Sequence, residues 1–227
     1  MDTLRESILQ EIGLARWTAR ESMRAKWLLG SPIHDETALA IDPAWQTLAS
    51  EIAACRRCPR GAQRRQAFCG SGDTHAAVLI LGDVPDAEED QVGAPWVGAT
   101  GQLLDNMLAA IQLHRHRAVY LTAAVKCHCP NRLDIAEFDV ALAACRPYLL
   151  RQIALLQPRL ILALGAHAAR ALLPTDSDAT IVAGQWREWQ GIPLLTTPHP
   201  RDLLLQPMDK RQSWHDLCQV RQRLAAT

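Results

Sequence analysis

A chain of 227 residues, 48% of them apolar, carries enough hydrophobic material for one domain with a full core plus an appendage, which excludes a disordered polymer. Acidic and basic residues balance at 24 each, which argues against a protein that coats nucleic acid through net charge and leaves room only for a local basic patch. No apolar run approaches the roughly 20 residues that span a bilayer, and Met1-Asp2-Thr3-Leu4-Arg5-Glu6 lacks the basic-then-apolar pattern of a secretory signal, so the expected location is the cytoplasm.

In chain order, Leu4, Ile8 and Ile12 recur every four residues as one helical stripe, and Gly13 follows as a C-cap. Leu14-Ala15-Arg16-Trp17-Thr18 and a basic stretch to Trp27 complete a helical arm over residues 1–30. Gly30-Ser31-Pro32 is punctuation, and residues 31–43 read as a linker before a domain over 44–227. Helix resumes at Pro43-Ala44-Trp45 and runs into Cys55. Buried strands are predicted at Ala76–Gly82, Ala118–Thr122, Arg159–Gly165 and Ile192–Thr196. Helices are predicted at Gly101–Leu113 and Ile135–Leu156, then a short one to Leu173 and a C-terminal one carrying Trp214. This alternation predicts an α/β fold: a four-stranded parallel sheet with helices on both faces. Ligands of such sheets sit beyond the carboxyl ends of the strands, where Gly82-Asp83-Val84-Pro85, Ala123-Ala124 and Thr197-Pro198-His199-Pro200 fall.

Seven cysteines in a chain expected in a reducing compartment are not read as disulfides. Cys55-Arg56-Arg57-Cys58 is a C-x2-C pair, and Cys127, Cys129 and Cys145 follow much later. Two thiolates from a tight turn, joined by two from distant segments, can surround a soft metal or an iron–sulfur cluster, and the spacing does not choose between them. Cys69 and Cys218 read as ordinary small apolar residues.

Several segments together resemble the iron–sulfur (family 4 type) uracil-DNA glycosylase superfamily. Gly82-Asp83-Val84-Pro85-Asp86-Ala87-Glu88-Glu89-Asp90, with Gly93-Ala94-Pro95-Trp96-Val97-Gly98 and Gly101-Gln102-Leu103-Leu104, is similar to that family's first motif. Tyr120-Leu121-Thr122-Ala123-Ala124-Val125-Lys126-Cys127 resembles its YITNVVKC segment, and Cys145-Arg146-Pro147-Tyr148-Leu149 its last cluster ligand. Pro158 to Gly165 resembles its PxxIVALG strand, and His199-Pro200 with Leu203-Leu204 its closing HPxxLL motif. The match runs in order over residues 51 to about 220. It implies a three-layer α/β/α fold and a [4Fe–4S] cluster on Cys55, Cys58, Cys127 and Cys145, with Cys129, where the family carries proline, as the alternative third ligand. It also implies that Trp96 stacks on a flipped base, that Asp83 positions water, and that His199 stabilises charge on the leaving base.

The departures fall on the implied base pocket. The family's base-reading asparagine is Ala123, its glutamate is Asp83, its second glycine is Asp86, and its closing arginine is Leu205. Ile8 to Arg20, including Ile12, Leu14 and Trp17, resembles the start of the psi subunit of bacterial DNA polymerase III, a segment that docks on the clamp loader. Together these features lead to the expectation of a non-catalytic replication accessory protein on a degenerate glycosylase scaffold. Residues 1–28 would hold clamp-loader ATPase subunits, the body would hold a chi-like subunit, and DNA binding would be weak. The alternative expectation is an active [4Fe–4S] uracil-DNA glycosylase in base-excision repair, with Asp83 and His199 catalytic and Ala123 widening base choice.

Overall fold

Two uninterrupted apolar runs, Val78-Leu79-Ile80-Leu81 and Leu160-Ile161-Leu162-Ala163-Leu164, have no polar side to offer water, so they are stable only when covered on both faces. In the computed structural model, which describes residues 42–128, 135–173 and 182–226, they form fully buried strands. The predicted arm and most of the linker lie outside the described residues, as do Ile8, Ile12, Leu14, Trp17, Arg20 and Cys129.

The strands are β1 (Ser71–Gly72), β2 (Val78–Gly82), β3 (Val119–Ala123), β4 (Leu160–Leu164), β5 (Trp186–Trp189) and β6 (Ile192–Thr197). Their order is β1-β3-β2-β4-β6-β5. The inner pairs β3–β2, β2–β4 and β4–β6 are parallel, at the four predicted positions. The predicted four-stranded parallel sheet is corrected to a six-stranded mixed one, because β1 and β5 add antiparallel edges. A two-residue strand such as β1 has no periodicity to read. Strand β5 is half-buried and returns into β6 through Gln190 (φ 49°) and Gly191 (φ 82°), a tight hairpin that its charged residues hide.

Helices α1 (Pro43–Ala54), α2 (Arg60–Gln63), α3 (Ala87–Val92), α4 (Gly98–Ala110), α5 (Ile135–Leu156), α6 (Ala166–Arg170), α7 (Pro200–Leu205) and α8 (Lys210–Ala225) surround the sheet. Alternate strand residues face opposite layers. Leu79, Leu81 and Ile161 pack with Leu48 and Ile52 of α1 and Leu149 of α5. Ile80, Leu162 and Leu195 pack with Leu104 of α4 and Leu217 and Val220 of α8. No helix among the described residues is long and apolar enough to cross a membrane.

Helix α4 begins against the segment that carries Trp96. A Cβ added to Gly101 would lie 1.8 Å from the Trp96 carbonyl oxygen. Arg115 clamps the same carbonyl, Nη2 donating at 3.2 Å, while its Nε donates to Asp105 at 2.6 Å. Gly101→Ala must therefore drive the Trp96 backbone off the helix. The expected destabilisation exceeds the roughly 1–3 kcal/mol of ordinary overpacking. Urea denaturation measures it, and a midpoint equal to that of wild type would show that the contact relaxes freely.

Candidate functional site

Parallel pairing brings three strand ends together. Gly82 pairs with Ala123, and Leu164 with Thr197, so the residues that follow β2, β3 and β6 meet at one rim. A pocket there is lined by Phe68, Asp86, Trp96, Ala123, His199 and Arg201, among others. Asp83 and His199 are both buried, and His199 Nε2 stands 3.6 Å from Asp83 Oδ1. The backbone sets both orientations. His199 caps α7, its Nδ1 accepting from the Arg201 amide at 3.1 Å. Asp83 Oδ1 accepts from the Val84 amide at 2.7 Å. A ring nitrogen that accepts carries no proton, so the neutral imidazole holds its hydrogen on Nε2, the nitrogen near Asp83.

Trp96 takes a left-handed backbone conformation (φ 56°) and stacks on His199 with ring centroids 5.6 Å apart. Its indole lies so close to β2 that a Cβ on Gly82 would come within 2.7 Å of the ring. Trp96 is thus both a core residue and a pocket wall. Glu89 holds this loop: its buried carboxylate accepts the Trp96 amide and, at 2.6 Å, the Asp86 amide. In return Asp86 Oδ1 accepts from the Glu89 amide at 2.8 Å, completing a capping box at the start of α3.

This geometry revises the reading of the pocket. Asp86 is a helix cap, so its carboxylate is engaged by backbone and is not simply an intruder in base space. Leu205 is 75% exposed at the end of α7 and is not a lining residue, so the loss of an arginine there leaves the pocket wall unchanged. Ala123 does line the pocket and brings no polar side chain. Motif reading included Glu89 without giving it a role, and missed Phe68 and Arg201. Arg201 directly follows the His199-Pro200 pair, which was the available signal. Its Nη1 is 3.9 Å from Asp83 Oδ2 and its Nη2 is 4.0 Å from Asp86 Oδ2.

The cysteines come from three segments. Cys55 ends α1 and Cys58 precedes α2, while Cys127 follows β3 and Cys145 lies in α5. Cys127 and Cys145 are buried, and Cys55 and Cys58 half-buried. Burial raises the Cys127 thiol, and Cys58 and Cys55 act on it electrostatically. Burial pushes Cys145 up to about 11, with Cys127 and Cys58 among the neighbouring charges it feels. Arg64 crosses the region, Nη1 donating to Cys127 Sγ at 2.9 Å and Nη2 to the Cys55 carbonyl at 2.9 Å. Among the described residues, no three or more His, Cys, Asp or Glu side chains meet in an arrangement that could hold a metal ion. Cys69 serves locally, its carbonyl accepting from Thr122 Oγ1 at 2.9 Å.

The family model described as the uracil DNA glycosylase superfamily matches residues 69–218. The type-4 uracil-DNA glycosylase of Pyrobaculum aerophilum is 36% identical over 180 residues, which cover 76% of this chain and 90% of that protein. The protein of the same name from Sulfurisphaera tokodaii is 31% identical over 185 residues, covering 78% and 83%. The one from Thermotoga maritima is 32% identical over 161 residues, covering 70% and 82%. These likenesses overturn the expectation of a non-catalytic, psi-type replication subunit: the relatives that match the body are named as enzymes, and the arm that suggested psi lies outside the described residues. The physical source of the error is the pocket, where Asp83 and His199 remain side by side and two of the suspected losses are a helix cap and a surface leucine.

Burial raises Glu89 above its ordinary 4.5, outweighing the amide hydrogens of Asp86 and Trp96. Its protonation is therefore more favourable in the folded than in the unfolded chain. That stabilisation is complete below the ordinary carboxylate value and is lost as pH rises through the raised one. The difference in unfolding free energy between wild type and Glu89→Gln should shrink as pH climbs from about 4 to 8, by at most about 1.4 kcal/mol per pH unit. Denaturant titrations across that range test it, and a pH-independent difference would remove the titration from Glu89.

Proposed function

Because the chain belongs to the uracil DNA glycosylase superfamily, we propose that it hydrolyses the N-glycosidic bond of deoxyuridine in DNA and releases uracil for base-excision repair. The observation that carries this reading is the buried pair of His199, which lines the pocket, and Asp83, 3.6 Å from it. A base in duplex DNA must leave the stack to be reached, and Trp96 and Phe68 offer aromatic walls to hold it. As the bond between C1′ and the base nitrogen breaks, its electron pair departs with the base. Negative charge then grows on the ring carbonyls. The backbone-set imidazole would carry its hydrogen on Nε2, beside Asp83, from where it could be offered to such an oxygen. Asp83 is the carboxylate that would orient the water adding at C1′ and accept hydrogen bonds from it.

On single-stranded uracil-containing DNA, Asp83→Asn and His199→Ala should each lower kcat by about 10²-fold or more, the scale of a lost general base or oxyanion donor. Wild-type protein that releases no uracil, or variants that match it, would end this reading.

We further infer that Cys55, Cys58, Cys127 and Cys145 hold a [4Fe–4S] cluster. The donor chemistry supports it: thiols from three segments feel one another's charge, two of them are buried, and Arg64 donates to one. Buried thiols raised above their ordinary value become thiolates readily only beside strong positive charge, which a cluster's irons supply. When bound, the group would act as a structural cross-link joining α1, the end of β3 and α5. Purified protein should then contain about four irons per chain, as this cluster type requires. Cys145→Ser should lose the visible absorbance and melt at lower temperature, because ligation is linked to folding. Stoichiometric zinc without iron after anaerobic preparation would overturn the assignment.

A further inference from the structure

Ala123 leaves the pocket without a side-chain amide, yet an active site for uracil needs a group that tells its carbonyl edge from the amino group of cytosine. We propose that Arg201 is that specificity-determining residue, its guanidinium donating to O4 of the flipped base, the position at which cytosine carries its amino group; the proposal rests on the glycosylase reading of the same pocket. Three observations carry it. Arg201 lines the pocket with Ala123 and His199. Its Nη1 is shut off from solvent and has no hydrogen-bond partner among the described residues. The facing carboxylates stand at 3.9 and 4.0 Å, close enough to balance the charge and too far to accept a hydrogen bond.

Buried donors without acceptors are rare in folded proteins, and each exception calls for an explanation. Here the facing oxygens, Asp83 Oδ2 and Asp86 Oδ2, stand just beyond hydrogen-bonding reach of the guanidinium. The Arg201 backbone is fixed in the first turn of α7, where its amide donates to His199 Nδ1. One short turn therefore presents two donors to the pocket, the His199 Nε2 hydrogen and the Arg201 fork.

The chemistry of the group makes the contact selective. A guanidinium only donates and does not deprotonate in proteins. It rewards an oxygen acceptor such as a uracil carbonyl and meets the cytosine amino group donor to donor. An asparagine amide, which both donates and accepts, could reorient to suit either base. Ala123 with Arg201 thus moves base reading from the end of β3 to the start of α7.

The test uses the full-length protein with Arg201→Gln and Arg201→Lys. Excision of uracil from single-stranded DNA is measured, and free uracil and free cytosine are titrated calorimetrically. Arg201→Gln should lower kcat/KM for uracil by at least about tenfold, the size of one hydrogen bond to a charged donor. It should also cut the preference for uracil over cytosine by a similar factor. Arg201→Lys keeps the charge beside Asp83 and Asp86 and also only donates, so it should melt near wild type and hold the preference better than Arg201→Gln. If folded Arg201→Gln keeps wild-type kcat/KM and wild-type preference, Arg201 only balances charge and the proposal is wrong. That result is distinct from failure of the glycosylase reading, in which wild-type protein itself excises no uracil.

Discussion

Burial of the four parallel strands on both faces leaves polar chemistry one exit, the carboxyl ends of the strands. Everything at the site follows from that constraint. Register sets Gly82 beside Ala123 and Leu164 beside Thr197, so the turns carrying Asp83 and His199 converge although 116 positions separate them in sequence (199 − 83). The apolar core thus acts as the ruler that brings a carboxylate and an imidazole within 3.6 Å.

The polar groups at this rim are oriented by backbone amides. Val84 holds Asp83, Arg201 holds the His199 ring, and Trp96 and Asp86 both donate to Glu89. Amide donors on short turns cost little conformational entropy compared with long side chains, and they leave the outward-facing atoms poised for a ligand. Gly82 and Gly101 matter for the same reason: one lets the Trp96 indole rest on β2, and the other lets its carbonyl rest on α4.

The pocket and the cysteine region share one stretch of chain. Lys126, buried beside Cys127, sends its Nζ to Thr122 Oγ1 at 2.8 Å, to the Ala123 carbonyl at 2.6 Å and to Gln152 Oε1 at 2.6 Å. Thr122 and Ala123 line the pocket, and Gln152 lies on α5 with Cys145. One fully buried and fully hydrogen-bonded ammonium thus joins the cysteine-bearing segments to residues that line the pocket, and its partners would be left unsatisfied if it moved.

The α/β class, the four inner strands and the long helix Ile135–Leu156 were legible in the sequence, because continuous apolar runs and helical spacing are local properties that burial obeys. Motif order was equally legible, and it pointed to Trp96 and His199, which line one pocket, and to Asp83, which stands 3.6 Å from His199. The edge strands escaped because β1 is too short for periodicity and β5 too polar for a core signal. The sequence could not decide what each departure from the motif does. A carboxylate at Asp86 reads the same whether it blocks a base or caps a helix, and only the placement of the Glu89 amide makes it a cap. An arginine lost at Leu205 and one present at Arg201 are four positions apart on one strand of text (205 − 201), yet the first turn of α7 points one of them into the pocket and leaves the other in solvent. Direction of this kind is set by long-range packing, which single-sequence patterns do not carry.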